Sequence, residues 1–222
     1  MTIQETYLRF LNKVNKNFIN DNISVDKGRF IILFNSSQLK YFDWIFSQKN
    51  TDSIRDVQSL KVSNKELEKS KKYEDFDSFS LPNNFFKHIN VRAKAKSSSC
   101  VDFLDNLFEA KGENIHELYN DKNNEPSFEY RETFYTFGNN CINVYKKDFD
   151  ISNVFLTYYR YPISVDIEGY IKIDGSRSKN IDPEFNDEVI DSILDICAKD
   201  FNVNSDNLER YQVDNNQIVS TF

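Results

Sequence analysis

The hydrophobic period changes twice along this chain, from helical to strand-like and back to helical, and that order narrows the folds open to it. Ile3, Tyr7, Phe10, Leu11, Val14 and Phe18 recur at the spacing of one helix face. Just ahead, Thr2 and Glu5 have the spacing of a capping box, in which hydroxyl and carboxylate satisfy orphan amides at a helix start. Asn20-Asp21-Asn22 is expected to end this helix. A second helix is predicted from Lys27 to about Gln48. Its apolar residues, among them Phe30, Phe34, Tyr41, Trp44 and Ile45, spread so far round the circumference that it needs cover on more than one side. In the middle of the chain, Ile89, Val91, Ala93 and Ala95 alternate with Asn90, Arg92, Lys94 and Lys96. That is a period of two, with one basic face.

Further strands are predicted over Phe128 to Phe137 and Cys141 to Tyr145, joined by Gly138-Asn139-Asn140, residues that tolerate positive φ in a hairpin turn. Val154 to Tyr161 reads as a strand stopped at Pro162, and Ile163 to Ile173 as another, bent near Gly169. Helical spacing returns in Phe185, Val189, Ile193, Ile196, Cys197 and Phe201. Asp182 is a candidate cap there, Pro183 suits the first position, and a shorter helix is expected from Ser205 or Asp206. The polar stretch from Asn50 to Asn84 reads as a solvated connection or arm. The expected class is α+β, with terminal helices forming a helical bundle and a central antiparallel β-sheet region. Three segments follow. Residues 1–84 form a helical hairpin and polar arm, 85–181 the β region, and 182–222 acidic helices that pack with the N-terminal ones.

At 222 residues the chain suits one large domain or two small ones and needs no metal or disulfide staple. It holds 27 Asn but only 4 Ala, a coding bias of AT-rich genomes that carries no function. Cys100, Cys141 and Cys197 are odd in number and far apart, which points to reduced thiols in a cytosol. The first residues lack the basic-then-apolar pattern of a signal peptide. Phe30 to Phe34, the greasiest stretch, falls far short of the roughly 20 apolar residues of a spanning helix, so no membrane anchor is expected. The net charge of −7 is uneven. Residues 182–214 hold ten acids against two bases, a balance of −8, and the remainder sums to +1. A general nucleic-acid-binding surface is therefore not expected.

Signatures of catalysis are weak. Each Gly stands alone, so no phosphate loop is present, and His88 and His116 lack companions at a recognisable ligand or triad spacing. Glu129 and Glu132 lie three apart on a predicted strand and so point to opposite faces; a cross-strand role, with Arg131 or Arg160, suits them better. Asp102 or Asp105 followed by Glu109-Ala110-Lys111 imitates part of a metal-dependent nuclease pattern. These residues fall in one short helix-like stretch, where carboxylates do not converge on Mg²⁺. Expected catalytic residues, metals and cofactors are none. Arg92, Lys94 and Lys96 carry more weight. They suit an edge strand guarded by lysines, an acidic partner surface, or phosphate contacts, in that order. The acidic partner is expected to be Asp187, Glu188 and Asp191 of a neighbouring copy.

Several segments occur together that resemble one family: Phe79-Ser80-Leu81-Pro82-Asn83-Asn84-Phe85-Phe86, Asn124 to Phe134 (NEPSFEYRETF), and Leu156-Thr157-Tyr158-Tyr159-Arg160-Tyr161-Pro162. Asp174-Gly175-Ser176 and Ile181-Asp182-Pro183-Glu184-Phe185 continue the pattern. Over roughly residues 79–201 the chain resembles a ring protein of the head-to-tail connector or tail barrel of crAss-like phages that infect Bacteroides. The resemblance implies a non-enzymatic virion structural protein, made in the bacterial host cytoplasm. It implies a homo-oligomeric ring of about twelve copies. Its partners would be other copies of itself, the portal or adjacent tail ring proteins, and genomic DNA that passes through the channel without sequence-specific binding. The alternative is a phage enzyme of the metal-dependent nuclease kind, or a non-virion assembly factor.

Overall fold

The computed structural model describes residues 1–15, 24–47, 55–98 and 100–204, and the chain divides into two compact units. The first comprises residues 1–59 and 162–222, the second residues 60–161. In chain order the described α-helices are α1 (Ile3–Asn15), α2 (Lys27–Ser47), α3 (Ile115–Asn120) and α4 (Asp187–Asn204). The strands are β1 (Lys61–Leu67), β2 (Lys69–Lys72), β3 (Phe76–Ser80), β4 (Phe85–Ser97), β5 (Cys100–Phe103), β6 (Asn106–Glu109), β7 (Glu132–Gly138), β8 (Cys141–Tyr145) and β9 (Asp150–Arg160). The class is α+β, as the periodicity predicts. The expected ends at Asn20 to Asn22 and the helix from Ser205 lie outside the described residues.

In the first unit α4 packs on both α1 and α2, which covers the broad apolar surface of α2. The contact is aromatic. Phe30 is fully buried, with Tyr7, Phe10 and Phe34 at ring-centroid distances of 5.2, 5.1 and 5.6 Å, and Phe201 of α4 meets Phe10 edge-on at 6.0 Å. The Thr2 hydroxyl accepts from the Glu5 amide at 3.3 Å, the expected cap of α1. Asp182 departs from expectation. Its carboxylate accepts the Ile3 amide at 2.8 Å and so serves the start of α1, while Asn186 caps α4 through the Val189 amide at 2.9 Å.

Residues 163–173 do not form the predicted strand. Only isolated bridges occur there, Asp166 with Ile181 and Ile171 with Arg177. The Asp166 carboxylate organises the segment instead, accepting from Lys172 Nζ at 2.7 Å, Tyr170 OH at 2.8 Å, and the amides of Ile167 at 3.0 Å and Lys179 at 3.1 Å. Side-chain bonds of this kind compete with a strand ladder. Burial pushes the Asp166 carboxyl up, but these four donors outweigh it and hold its pKa below the usual value.

The second unit is two sheets packed face to face, with orders β1-β9-β4-β5 and β2-β3-β8-β7-β6. Val91, Ala93, Ala95, Val154, Leu156 and Tyr158 of the first sheet meet Phe79, Tyr135, Ile142 and Val144 of the second in one core. The predicted hairpin is present. Gly138 pairs with Cys141 across a two-residue turn, and Asn140 adopts φ 58°. One pairing breaks the antiparallel rule, since β6 runs parallel to β7. The polar stretch after residue 60 also departs from expectation, for it folds as β1, β2 and β3 rather than as an arm. Its lysines face solvent on outer strands while Leu67 and Phe79 enter the core, so composition concealed the strands. On the outer face of the second sheet, Phe134, Tyr145 and Phe108 pack with Ile115, Leu118 and Tyr119 in and beside α3.

An ionic cluster joins the two sheets at one end. Asp77 of β3, with its side chain 0% exposed, accepts from Lys146 Nζ at 2.8 Å and Lys69 Nζ at 2.9 Å. Lys69 also donates to the Ile151 carbonyl of β9, and Asp150 at the start of β9 meets Lys72 at 2.8 Å and Lys146 at 3.3 Å.

Phe30→Ala removes a fully enclosed ring and is expected to destabilise the first unit by about 3–5 kcal/mol, read as a lower urea midpoint. Asp77→Ala leaves buried Lys146 without its main counter-charge and should cost about 3–5 kcal/mol, whereas Asp77→Leu with Lys146→Met should cost much less. The hydrogen bond from Lys72 holds the Asp150 carboxyl below its usual value, with Lys146 adding to it. A carboxylate of this kind stabilises fully above the unfolded Asp value of about 3.9 and loses that contribution as pH falls through its folded value. An acid titration of Asp150→Asn should therefore lack part of the wild-type loss of stability below that pH.

Candidate interaction surface

The alternation read from Ile89 to Lys96 holds over its central and C-terminal part. Val91, Ala93 and Ala95 are buried, and Arg92, Lys94 and Lys96 share the opposite, solvent face. Over its C-terminal part, where Lys94 and Lys96 lie, strand β4 is not an edge, because β9 pairs with one side of it and β5 with the other, and the Leu104 amide extends that contact to Ala93, next to Arg92. The lysine-guarded-edge reading of these three residues is thereby corrected. The guarded edge is β2, Lys69–Lys72, with its three lysines.

Register places two half-buried rings among the cations. Phe103 of β5 stands opposite Lys94, and Phe155 of β9 opposite Arg92. The Arg92 guanidinium lies 4.4 Å from the Phe103 centroid. Lys94 Nζ lies 4.7 Å from Phe103 and 5.8 Å from Phe155, and the two rings are 6.0 Å apart. Each such contact contributes about 0.5–1 kcal/mol at an exposed site, enough to hold long side chains in place without neutralising them. Among the described residues, none of Arg92, Lys94 and Lys96 has a carboxylate at ion-pair distance. By register the nearest acid is Asp150, opposite Lys96, and it is taken up by Lys72 and Lys146; Glu66, opposite Phe155, accepts from Asn153. The sequence showed the cations but not the rings, because Phe103 and Phe155 reach this face only through sheet pairing.

The acidic side is arranged differently. Asp187 lies 3.1 Å from the Met1 amine, and Asp191 meets Arg9 of α1 at 3.0 Å. Asp195 pairs with Lys13, and Asp200 meets Lys40 of α2 at 2.7 Å. Arg9 and Lys13 stand one turn apart on α1, as Asp191 and Asp195 do on α4, so these acids lace helices of the same chain. Asp182 and Glu184 accept the amides of Ile3 and Ile163. Glu188 is exposed. Two of the three acids named for an intersubunit contact, Asp187 and Asp191, are thus engaged within the chain.

The nuclease-like pattern does not assemble. Residues 100–109 form β5 and β6 rather than a helix-like stretch. Asp102 and Asp105 meet Arg131 at 2.8 and 3.4 Å, and Glu109 meets His88 Nε2 at 3.2 Å. His88 thus has a companion that sequence spacing did not reveal, and its ring meets Phe137 at a tilt, 4.7 Å between centroids. Glu132 accepts from Asn106 at 3.5 Å, not from Arg131 or Arg160, and Glu129 sits exposed in the preceding turn. No group of three or more His, Cys, Asp and Glu that could hold a metal ion occurs among the described residues. All three cysteines are free, and burial pushes the Cys197 thiol up.

The first unit carries a second exposed surface. Ile173 is fully exposed, Ile171 is 74% exposed and Ile32 of α2 66%, and with Arg29 and Tyr170 they line an open groove of about 860 Å³. Clustered exposed apolar side chains mark interaction sites more often than single ones do. No described helix is long and apolar enough to cross a membrane. The chain matches no family model, and no curated protein is significantly similar to it.

Because Arg92 and Lys94 rest on rings rather than in ion pairs, changing both to Glu should alter folding stability by no more than about 3 kcal/mol, the loss of three cation–π contacts at about 0.5–1 kcal/mol each. Asp191→Ala, which opens a half-exposed pair, should cost less than about 1 kcal/mol. Equilibrium denaturation of each variant checks both figures.

Proposed function

We propose that this chain is a virion structural protein: a ring of the phage head-to-tail connector or tail barrel that joins portal to tail and leaves a channel for DNA. The segments that resemble the crAss-like ring proteins carry this reading. They fall at element junctions in both units: the turn from β3 into β4, the turn entering β7, the end of β9, and the Asp174–Ser176 turn beside the exposed isoleucines. Two unlike sticky surfaces support it. One is a row of unpaired cations on the second unit and the other an exposed apolar groove on the first. A head-to-tail contact joins unlike patches, and such contacts close into rings when the rotation permits. Each copy then needs only weak contacts, since repetition round the ring multiplies them.

Imaging and mass spectrometry of purified particles test this. The expected result is this chain in stoichiometric, symmetric copies on the tail axis; its absence from particles would overturn the reading. Ile171→Asp with Ile173→Asp should leave the fold intact, since both side chains are already in water, and should prevent incorporation into particles.

A further inference from the structure

Ten acids lie between residues 182 and 214, seven of them among the described residues. Within the first unit Asp182, Glu184, Asp187, Asp191, Asp195 and Asp200 are engaged by amides or cations. The other four are Glu188, Asp206, Glu209 and Asp214, and three of these belong to residues 205–222. In that segment they alternate with Leu208, Tyr211 and Val213, against a single cation, Arg210.

The cationic face of the second unit offers the complement. Arg92, Lys94 and Lys96 project from alternate residues of one strand, so they stand about 6.6–6.8 Å apart. Between them lie the half-buried rings of Phe103 and Phe155, and Val101, opposite Lys96, is exposed. The two rings already bear the cations on their faces, which orients charge toward an anion rather than freeing the rings to stack on bases. We infer that this face is the docking site for the acidic C-terminal segment, residues 205–222, of a neighbouring copy. Asp206, Glu209 and Asp214 would meet the cations, and Leu208, Tyr211 and Val213 the rings and Val101. The choice of a neighbouring copy rests on the proposed ring.

The test uses the full chain carrying Asp206→Asn, Glu209→Gln and Asp214→Asn, so that its own segment does not compete. A fluorescent peptide of residues 205–222 is titrated into it. Saturable binding that weakens at least about tenfold when Arg92→Glu and Lys94→Glu are added, and weakens also with Lys96→Glu, which touches neither ring, supports the proposal. Binding that ignores these substitutions overturns it, as does no binding. Equal binding of a peptide with the three acids amidated, or tighter binding of a thymidine oligonucleotide through Arg92 and Lys94, also overturns it. Carboxylate-to-lysine cross-linking of mixed isotope-labelled and unlabelled wild-type chains identifies the donor copy. Links from Lys94 or Lys96 to Asp206, Glu209 or Asp214 should join unlike copies, and links confined to one copy overturn the inference. The ring reading fails separately, by absence of the chain from particles.

Discussion

Asp77 places a carboxylate inside the sandwich, where an uncompensated charge would cost several kcal/mol, and the surrounding structure is arranged to meet it. Lys146 reaches it from the end of β8 and Lys69 from β2, and Lys69 continues to a carbonyl of β9 in the opposite sheet. Asp150, at the start of that same strand, then takes up Lys146 and Lys72. An apolar core would tolerate several relative placements of two sheets, since hydrophobic burial is non-directional. A chain of directed charge contacts between named atoms tolerates few. The polar, lysine-rich sequence before β3 therefore has a structural reason: it supplies the counter-charges as well as a guarded outer strand.

Local signals with a short-range cause were legible in the sequence. The helix stripe around Phe10 and Phe30, the two-residue Asn139-Asn140 turn and the alternation from Val91 to Lys96 each follow from backbone period or turn chemistry, and each is present. What failed depended on partners distant in the chain. Asp182 looked like the cap of the nearest helix but caps α1, at the other end of the chain. The segment 163–173 had strand composition, yet Asp166 drew its backbone and side chains into a hub of hydrogen bonds. β1 and β2 were hidden because lone outer strands carry little hydrophobic signal.

The candidate surface shows the same division. That Arg92, Lys94 and Lys96 share a face could be read from parity alone. That the face lies on a central strand, and that Phe103 and Phe155 stand beneath the charges, depends on pairing with β5 and β9. Nor could the engagement of Asp187 and Asp191 by α1 be read from the acidic run, which looked uniform. The helix face that seemed an open acidic surface is partly the seam of a helical bundle.

Net charge is therefore a poor guide to what this molecule attracts. Screening limits an exposed charge to about 8 Å at physiological ionic strength, so a partner reads the local patch and not the sum of −7. Locally, the engaged acids of α4 present little uncompensated field, whereas three cations with no described carboxylate at ion-pair distance present a concentrated one. Aromatic rings hold two of those cations without cancelling their charge, which lowers the entropy lost when an anion arrives. Aggregation control does not explain them, because β4 is paired on both sides over its C-terminal part and the lysine-rich outer strand lies elsewhere. The proposed docking gives them a role instead: charges placed in advance on a paired strand, met by the carboxylates of a neighbouring copy.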